Sequence, residues 1–554
     1  MENSTHPDFN AMESSEHHDL NARESSTHHD FDEMESSKNH DLNAIESSTH
    51  HDFNEMISSF PCLFNKTPLV VGQNIREIEF KLENELSEDN DSPEEIIAKL
   101  NFYTWVEFKL GNFPMANQYN QKVFSYLKAR ERPNITCLVN QAHILHRLGD
   151  DVQAEQCLAK AGELRSGCGG EKLMTEVDAE LAYSLSRLIG AENLNRAIEL
   201  YTEVVAKQPE CYAWILRLGL LHRRATHRNV FSFLASNKSV IEHAEKAVEL
   251  LYVVAQKSLD SNLRRRAYAQ LAVLCSQSNR CFGQADCVRL FGGANVHYFI
   301  DNALNHGRND AWTLTECGRI MRYIDLEKAI SLLVQSLLIK NHSTTLHHLG
   351  MCYELNAKKI ARRASKEERK YIRGSHKNTQ SKNHCQPNPS KQSFSGFPGS
   401  SENETPWSPT IRSPVKSKKL NKGDPSVFLA IKCYCEAIVF SSDRNRAARF
   451  SLGLLLKECG EFEEALEHFD QIIDVTSKDN EESCERGCER PEYRDTLKAA
   501  HKQARLCLLE LAKQPGKTED DVKQLQERAE EKRLKAVGLE ADVPGHESKR
   551  KRCK

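Results

Sequence analysis

The 554-residue chain has no apolar run approaching the roughly 18 residues needed to cross a bilayer; its densest apolar stretch lies near residues 248–255. It opens MENSTHPDFN, without the apolar core of a secretory signal. Charge of one sign is also lacking: 75 Lys and Arg against 79 Asp and Glu leave a net −4. Global electrostatics therefore neither demand nor exclude a nucleic-acid partner, and only local patches can speak to that. Proline is sparse between residues 75 and 356 and strand-like alternation is missing there, which excludes a β architecture. Signatures of catalysis are missing too: no Gly-rich phosphate loop, no H-E-x-x-H and no G-x-S-x-G. Cysteine is not scarce, but the cysteines are not spaced as a metal site. Cys484-x-x-x-Cys488 and Cys433-x-Cys435 lack a second pair. Cys137, Cys157, Cys352, Cys433 and Cys507 fall on helix-patterned segments, where a reduced thiol is a small apolar filler. These absences predict a non-enzymatic protein without cofactor, metal or membrane span, in the reducing cytoplasm.

What is present is repetition. Residues 1–55 are five copies of an 11-residue unit, from MENSTHPDFNA to IESSTHHDFNE. Ser-Ser-Thr-His-His-Asp is poor helix material, and two apolar residues per unit bury almost nothing, so this tract reads as disordered. Its eight histidines have nothing to fix them into a coordination geometry and read as a solvated polar tract.

From Ile75 onward, one amphipathic helix follows another with a 34-residue period. The tetratricopeptide repeat (TPR) needs small residues where two antiparallel helices touch and large ones where they cover the next pair. Leu452, Gly453, Leu456, Gly460, Phe462, Ala465, Phe469 and Ile472 hold that register. Ala197, Tyr201, Val204 and Pro209 make a second helix B, and Leu349, Gly350 and Tyr353 a helix A. The helix B that completes this last unit is residues 425–440, with Ala430, Tyr434 and Ala437. The segment between carries 16 Lys and Arg against five Asp and Glu; it starts as a basic helix and dissolves into a Ser/Pro/Gly/Asn stretch holding Ser408-Pro and Ser413-Pro.

The predicted fold is an all-α TPR superhelical solenoid with a disordered N-terminal tail and a disordered internal insertion. Its divisions are the 11-residue repeats (1–55), the solenoid (72–357), the basic helix and low-complexity insertion (358–424), the continuation of the solenoid (425–478), C-terminal helices (491–538) and a basic tail (539–554). Function then rests on the inner surface of the coil, where Arg187, Arg217, Arg223, Arg224, Arg228, Arg264, Arg265, Arg266, His347 and His348 are candidates. Taken singly, each is as well read as a solvated helix face.

The units QAHILHRLGDDVQAEQCL, AYSLSRLIGAENLNRAIELYTEVVAKQPE and TTLHHLGMCYELNAKKIARRA, the last followed by a charged insertion, resemble the interferon-induced proteins with tetratricopeptide repeats, the IFIT family. The early units are also similar to tetratricopeptide repeat protein 22. The IFIT resemblance implies a protein that holds the 5′ end of foreign RNA in a basic internal pocket, in innate antiviral defence and without catalysis. The family's pocket lysine falls on Arg187, its neighbouring tryptophan on Tyr183, a pocket arginine on Arg224, and two polar residues on His347 and His348. Two further pocket arginines fall on Leu314 and Pro61, which leaves the preferred 5′ end open. The rival expectation is a TPR scaffold whose groove binds other proteins. Homo- or hetero-oligomerisation stays open under either.

Overall fold

The computed structural model describes residues 91–129, 133–188, 190–231, 237–281, 284–380, 420–484 and 491–541, with 53, 55–65, 75, 78, 79 and 82 before them. The expected disorder of residues 1–52 and 381–419, and most of the basic tail, lie outside that set. The chain divides into two compact units, Met1–Ser59 and Phe60–Lys554; every helix described below belongs to the second.

Nineteen α-helices and no strand occur among the described residues. They are α1 (Pro93–Lys109), α2 (Phe113–Lys128), α3 (Ile135–Arg147), α4 (Asp151–Ser166), α5 (Gly170–Arg187), α6 (Ala191–Lys207), α7 (Tyr212–Phe231), α8 (Asn237–Lys257), α9 (Ser261–Cys281) and α10 (Gln284–Phe291). There follow α11 (Val296–Gly307), α12 (Ala311–Met321), α13 (Leu326–Ile339), α14 (Ser343–Gln380), α15 (Pro425–Phe440), α16 (Arg446–Cys459), α17 (Phe462–Cys484), α18 (Pro491–Leu511) and α19 (Glu519–Ala541). Each packs first on its sequence neighbour, α1 on α2, α3 on α4 and so to α18 on α19, except that the short α10 is stepped over and α9 pairs with α11. The A helices α1, α3, α5, α7, α9, α12, α14, α16 and α18 then touch one another from pair to pair. This is a TPR solenoid, whose core is a sequence of interfaces between neighbours.

Local chemistry sets the starts. Ser92 caps α1, its Oγ accepting from the Glu95 amide at 3.3 Å, and Pro93 occupies the first turn, where no amide is needed. Asp310, Asp325 and Asp424 cap α12, α13 and α15 in the same way. Gly460, at φ 93°, ends α16 in the left-handed region that favours glycine.

The helix A–helix B seam follows the small-against-large pattern. A Cβ on Gly350 would lie 2.6 Å from the Tyr434 ring, and one on Gly453 would lie 2.9 Å from that of Phe469. The pairing of α14 with α15, on opposite sides of the insertion, is reinforced by polar contacts. Ser343 Oγ donates to the Ala437 carbonyl at 2.7 Å, and the Tyr434 hydroxyl to Glu354 at 2.6 Å. The basic helix is not a separate element: α14 runs without a break through residue 357 for 38 residues, about 57 Å at 1.5 Å per residue. Its partner α15 has 16 residues, so the second half of α14 extends beyond it.

Candidate nucleic-acid-binding cavity

The A helices α1, α5, α7, α9, α12 and α14 enclose a cavity of about 560 Å³. That lies within the range of about 300–1,000 Å³ usual for ligand pockets and far above the ~30 Å³ of one water. Its charge is one-sided. Lys99, Arg187, Arg217, Arg223, Arg224, Arg265, Arg266 and Lys340 line it, against the carboxylates of Asp91, Asp310 and Glu316. Helical spacing explains the convergence on α7: Arg217, Leu221 and Arg224 stand at i, i+4 and i+7, one stripe, with Arg223 beside it.

The cations are held in place by a few acids. Arg266 of α9 donates to Glu95 of α1 at 2.9 Å and to Asp91 at 3.4 Å, and Arg217 of α7 also pairs with Glu95. Lys99 pairs with Asp91. Burial alone would raise the Glu95 carboxyl, but the guanidiniums of Arg217 and Arg266 outweigh it and hold the pKa far below the ordinary carboxylate range. The opposite outcome holds at Asp91: burial and the neighbouring Glu95 charge prevail over Lys99 and Arg266, and its pKa is raised. The two carboxylates are thus split in opposite directions, as expected when like charges share a site. On the far wall, Arg265 Nη2 reaches Asp310 Oδ1 at 3.1 Å, while Asp310 Oδ2 accepts from the Thr313 amide at 2.7 Å. One residue therefore caps α12 and orients an arginine.

Arg223 is differently placed. Burial pushes its pKa down to about 10, with Glu316 pulling the other way, so it stays charged at neutral pH. Its Nε has no hydrogen-bond partner among the described residues, nor have Gln270 Oε1 and His342 Nε2, two other buried atoms of cavity-lining residues. Unsatisfied buried polar atoms cost about 1–3 kcal/mol each. Such atoms on α7, on α9 and just before α14 mark a cavity suited to a polar ligand.

The residues singled out from the sequence separate into two groups. Arg187, Arg217, Arg223, Arg224, Arg265 and Arg266 come together in the cavity, with Arg187 and Arg224 joined through the end of α5, where Arg224 donates to the Ser186 carbonyl. Arg264 turns elsewhere, its Nε donating to the Ala255 carbonyl at 3.0 Å. The side chain of Arg228 lies outside those described. Tyr183 requires correction. Its ring is 1% exposed, with the Arg217 and Arg187 guanidiniums 5.0 and 5.8 Å from its centroid and the edge of Phe102 at 6.3 Å. It faces a separate cavity of about 20 Å³, room for one water, and cannot stack on a base there.

His347 and His348 also require correction, because neither lines the large cavity. They sit at the α14–α16 contact, their rings 5.6 Å apart, with His347 Nε2 at 3.1 Å from Ser451 Oγ. Burial and then Arg322 bring His347 down to about 4; burial, His347 and the Arg319 and Arg322 charges hold His348 well below its usual value. Both are therefore neutral at physiological pH and add no positive charge for a phosphate. The cavity's histidine is His342, just before α14. Leu314 is buried, as a core leucine should be, and Pro61 lines a second small cavity beside Trp105 and Glu180.

Asp91, Lys99, Trp312 and Lys340 are lining residues that the repeat register did not point to. Trp312 is the cavity's one aromatic side chain among the described lining residues besides His342, and the Arg266 guanidinium lies 5.9 Å from its ring. Asp310, which caps α12, shares the lining with Ala311 and Trp312 of the first turn.

No protein-family model matches the chain, and no curated protein matches its sequence. Among solved structures, a monomeric mutant of IFIT1 with Gppp-AAAA aligns over 88% of this chain and 100% of that chain, with TM-score 0.51 and 15% identity. A second monomeric IFIT1 mutant, with m7Gppp-AAAA, aligns over the same shares with TM-score 0.50 and 15% identity. At that identity the likeness is one of fold: this chain is an IFIT-like TPR solenoid.

Proposed function

We propose that the protein is a non-enzymatic RNA-binding TPR protein that holds the 5′ end of an RNA in the arginine-lined cavity. The observation that carries this reading is the convergence of eight cations and three carboxylates on about 560 Å³. A phosphate chain is the ligand that matches such a surface, because guanidinium forks bind phosphate oxygens bidentately through charge-assisted hydrogen bonds. Arg187, Arg223 and Arg224 are its clamps on one wall, and Trp312 is the ring on which a terminal base or cap stacks. The IFIT-like fold supports the same reading, since the similar structures carry capped A-tracts. In the wider role we assign, capture of foreign 5′ ends makes the protein an effector of antiviral defence in the cytoplasm.

The test is affinity for one short RNA carrying a triphosphate, a cap or a hydroxyl at its 5′ end, at two salt concentrations. A pocket discriminates among the three ends. A merely basic surface binds all three alike and weakens steeply with salt. Equal affinity for all ends, or no binding, overturns the proposal and favours a protein-binding groove.

A further inference from the structure

One four-residue pattern, Arg-Arg-Ala followed by serine or threonine, occurs twice in the chain: Arg223, Arg224, Ala225 and Thr226 on α7, and Arg362, Arg363, Ala364 and Ser365 on α14. Two guanidiniums two and three residues before a hydroxyl are the charge pattern that the acidic cleft of a basophilic protein kinase reads. The fold treats the copies oppositely. Arg223 and Arg224 line the cavity, and Thr226 is 5% exposed with its Oγ1 donating to the Arg223 carbonyl at 2.7 Å. No kinase reaches that hydroxyl without opening the solenoid.

The second copy stands on the part of α14 that outruns α15. Arg362, Arg363 and Ala364 are exposed, and from Lys358 to Glu367 no residue is buried. Lys358 is the last anchor before this stretch, pairing with Glu354 at 2.7 Å and Glu458 at 2.9 Å. Among the described residues, Ser365 Oγ bonds within its own helix, donating to the Ala361 carbonyl at 2.9 Å. A helical stretch with no buried residue among those described is marginal in water and opens locally at little cost, which brings the extended form that a kinase cleft requires within reach.

We propose that Ser365 is a phosphorylation site for a basophilic serine/threonine kinase. The Ser365 hydroxyl attacks the γ-phosphorus of ATP; the Oγ–P bond forms as the bond to ADP breaks, and the hydroxyl proton passes to the kinase's catalytic carboxylate. The product sets a phosphate of about −1.5 to −2 charge beside Arg362, Arg363 and Lys366, offsetting part of the positive charge of this helix face.

The experiment incubates the full native chain with ATP and the catalytic subunit of cyclic-AMP-dependent protein kinase, and locates phosphate by peptide mass spectrometry. A heat-unfolded sample and a Ser365→Ala variant run beside it. The expected result is phosphate on Ser365 and none on Thr226 in the native chain, both hydroxyls modified after unfolding, and loss of the native site in S365A. A native chain that takes no phosphate at Ser365 overturns the proposal, and so does one modified as readily at Thr226.

Discussion

Arg266 on α9 and Glu95 on α1, 171 positions apart in the chain, meet at 2.9 Å. The contact ties the first repeat to the fifth across the cavity, and Arg217 joins it at the same carboxylate. Glu95 is 3% exposed, so its loss leaves the Arg217 and Arg266 guanidiniums without the carboxylate they share, and Arg266 with only its longer contact to Asp91 at 3.4 Å. Removing one partner of a buried pair costs roughly 3–5 kcal/mol. Glu95→Ala is expected to lower the urea midpoint by that equivalent. A drop no larger than that of an exposed Glu→Ala, such as Glu199→Ala, would show that the contact is dispensable. Because the Glu95 pKa is lowered in the fold, its contribution is present above the ordinary value of 4.5 and fades as pH falls below it.

The split repeat is tested at Gly350. A methyl there meets Tyr434 at 2.6 Å, and overpacking of this kind costs about 1–3 kcal/mol. Gly350→Ala is expected to destabilise by that amount in thermal or urea unfolding, and Tyr434→Leu in the same chain is expected to relieve part of it. No change in G350A would mean that α14 and α15 do not pack as described.

A pH dependence is expected from Glu180, which is buried between Asn101 and Asn134, accepting at 2.8 and 2.6 Å. Burial pushes its pKa up to about 7 from 4.5, the asparagine bonds notwithstanding. The raised folded value makes its stabilising effect complete below pH 4.5 and lost as pH rises through 7. Wild type should therefore lose on the order of 3 kcal/mol between pH 5 and 8, and Glu180→Gln should flatten that slope. An unchanged slope in E180Q assigns it to other groups.

The parts of this structure that were legible in the sequence are local. The seam at Gly350 and Tyr434 follows from spacing within a helix pair, and the stripe of Arg217 and Arg224, with Arg223 beside it, from positions on one helix. What was not legible depends on groups brought together from distant units. Tyr183 has the right helix and turn, but Arg217 and Arg187 close over its ring. His347 and His348 match a register yet fall on the α14–α16 contact, whereas His342, outside the helix, reaches the lumen. Asp91 and Lys99 acquire their role only when α1 meets α9, a contact that no repeat motif encodes.

The most direct test of the cavity as a phosphate site is charge reversal at Arg187, compared with Arg196→Glu on the exposed face of α6. Arg224 is a poorer probe, since its bond to the Ser186 carbonyl also supports the fold. Loss of a charge-assisted bond and gain of a repulsion in a half-buried site amount to about 3 kcal/mol, roughly 100-fold in Kd. Binding of triphosphate-, cap- and hydroxyl-ended versions of one RNA is measured for wild type and both variants, with circular dichroism to confirm folding. R187E is expected to lose roughly 100-fold for the preferred end and with it the discrimination among ends, while R196E matches wild type. Equal losses in R187E and R196E, or discrimination that survives in R187E, would contradict that expectation.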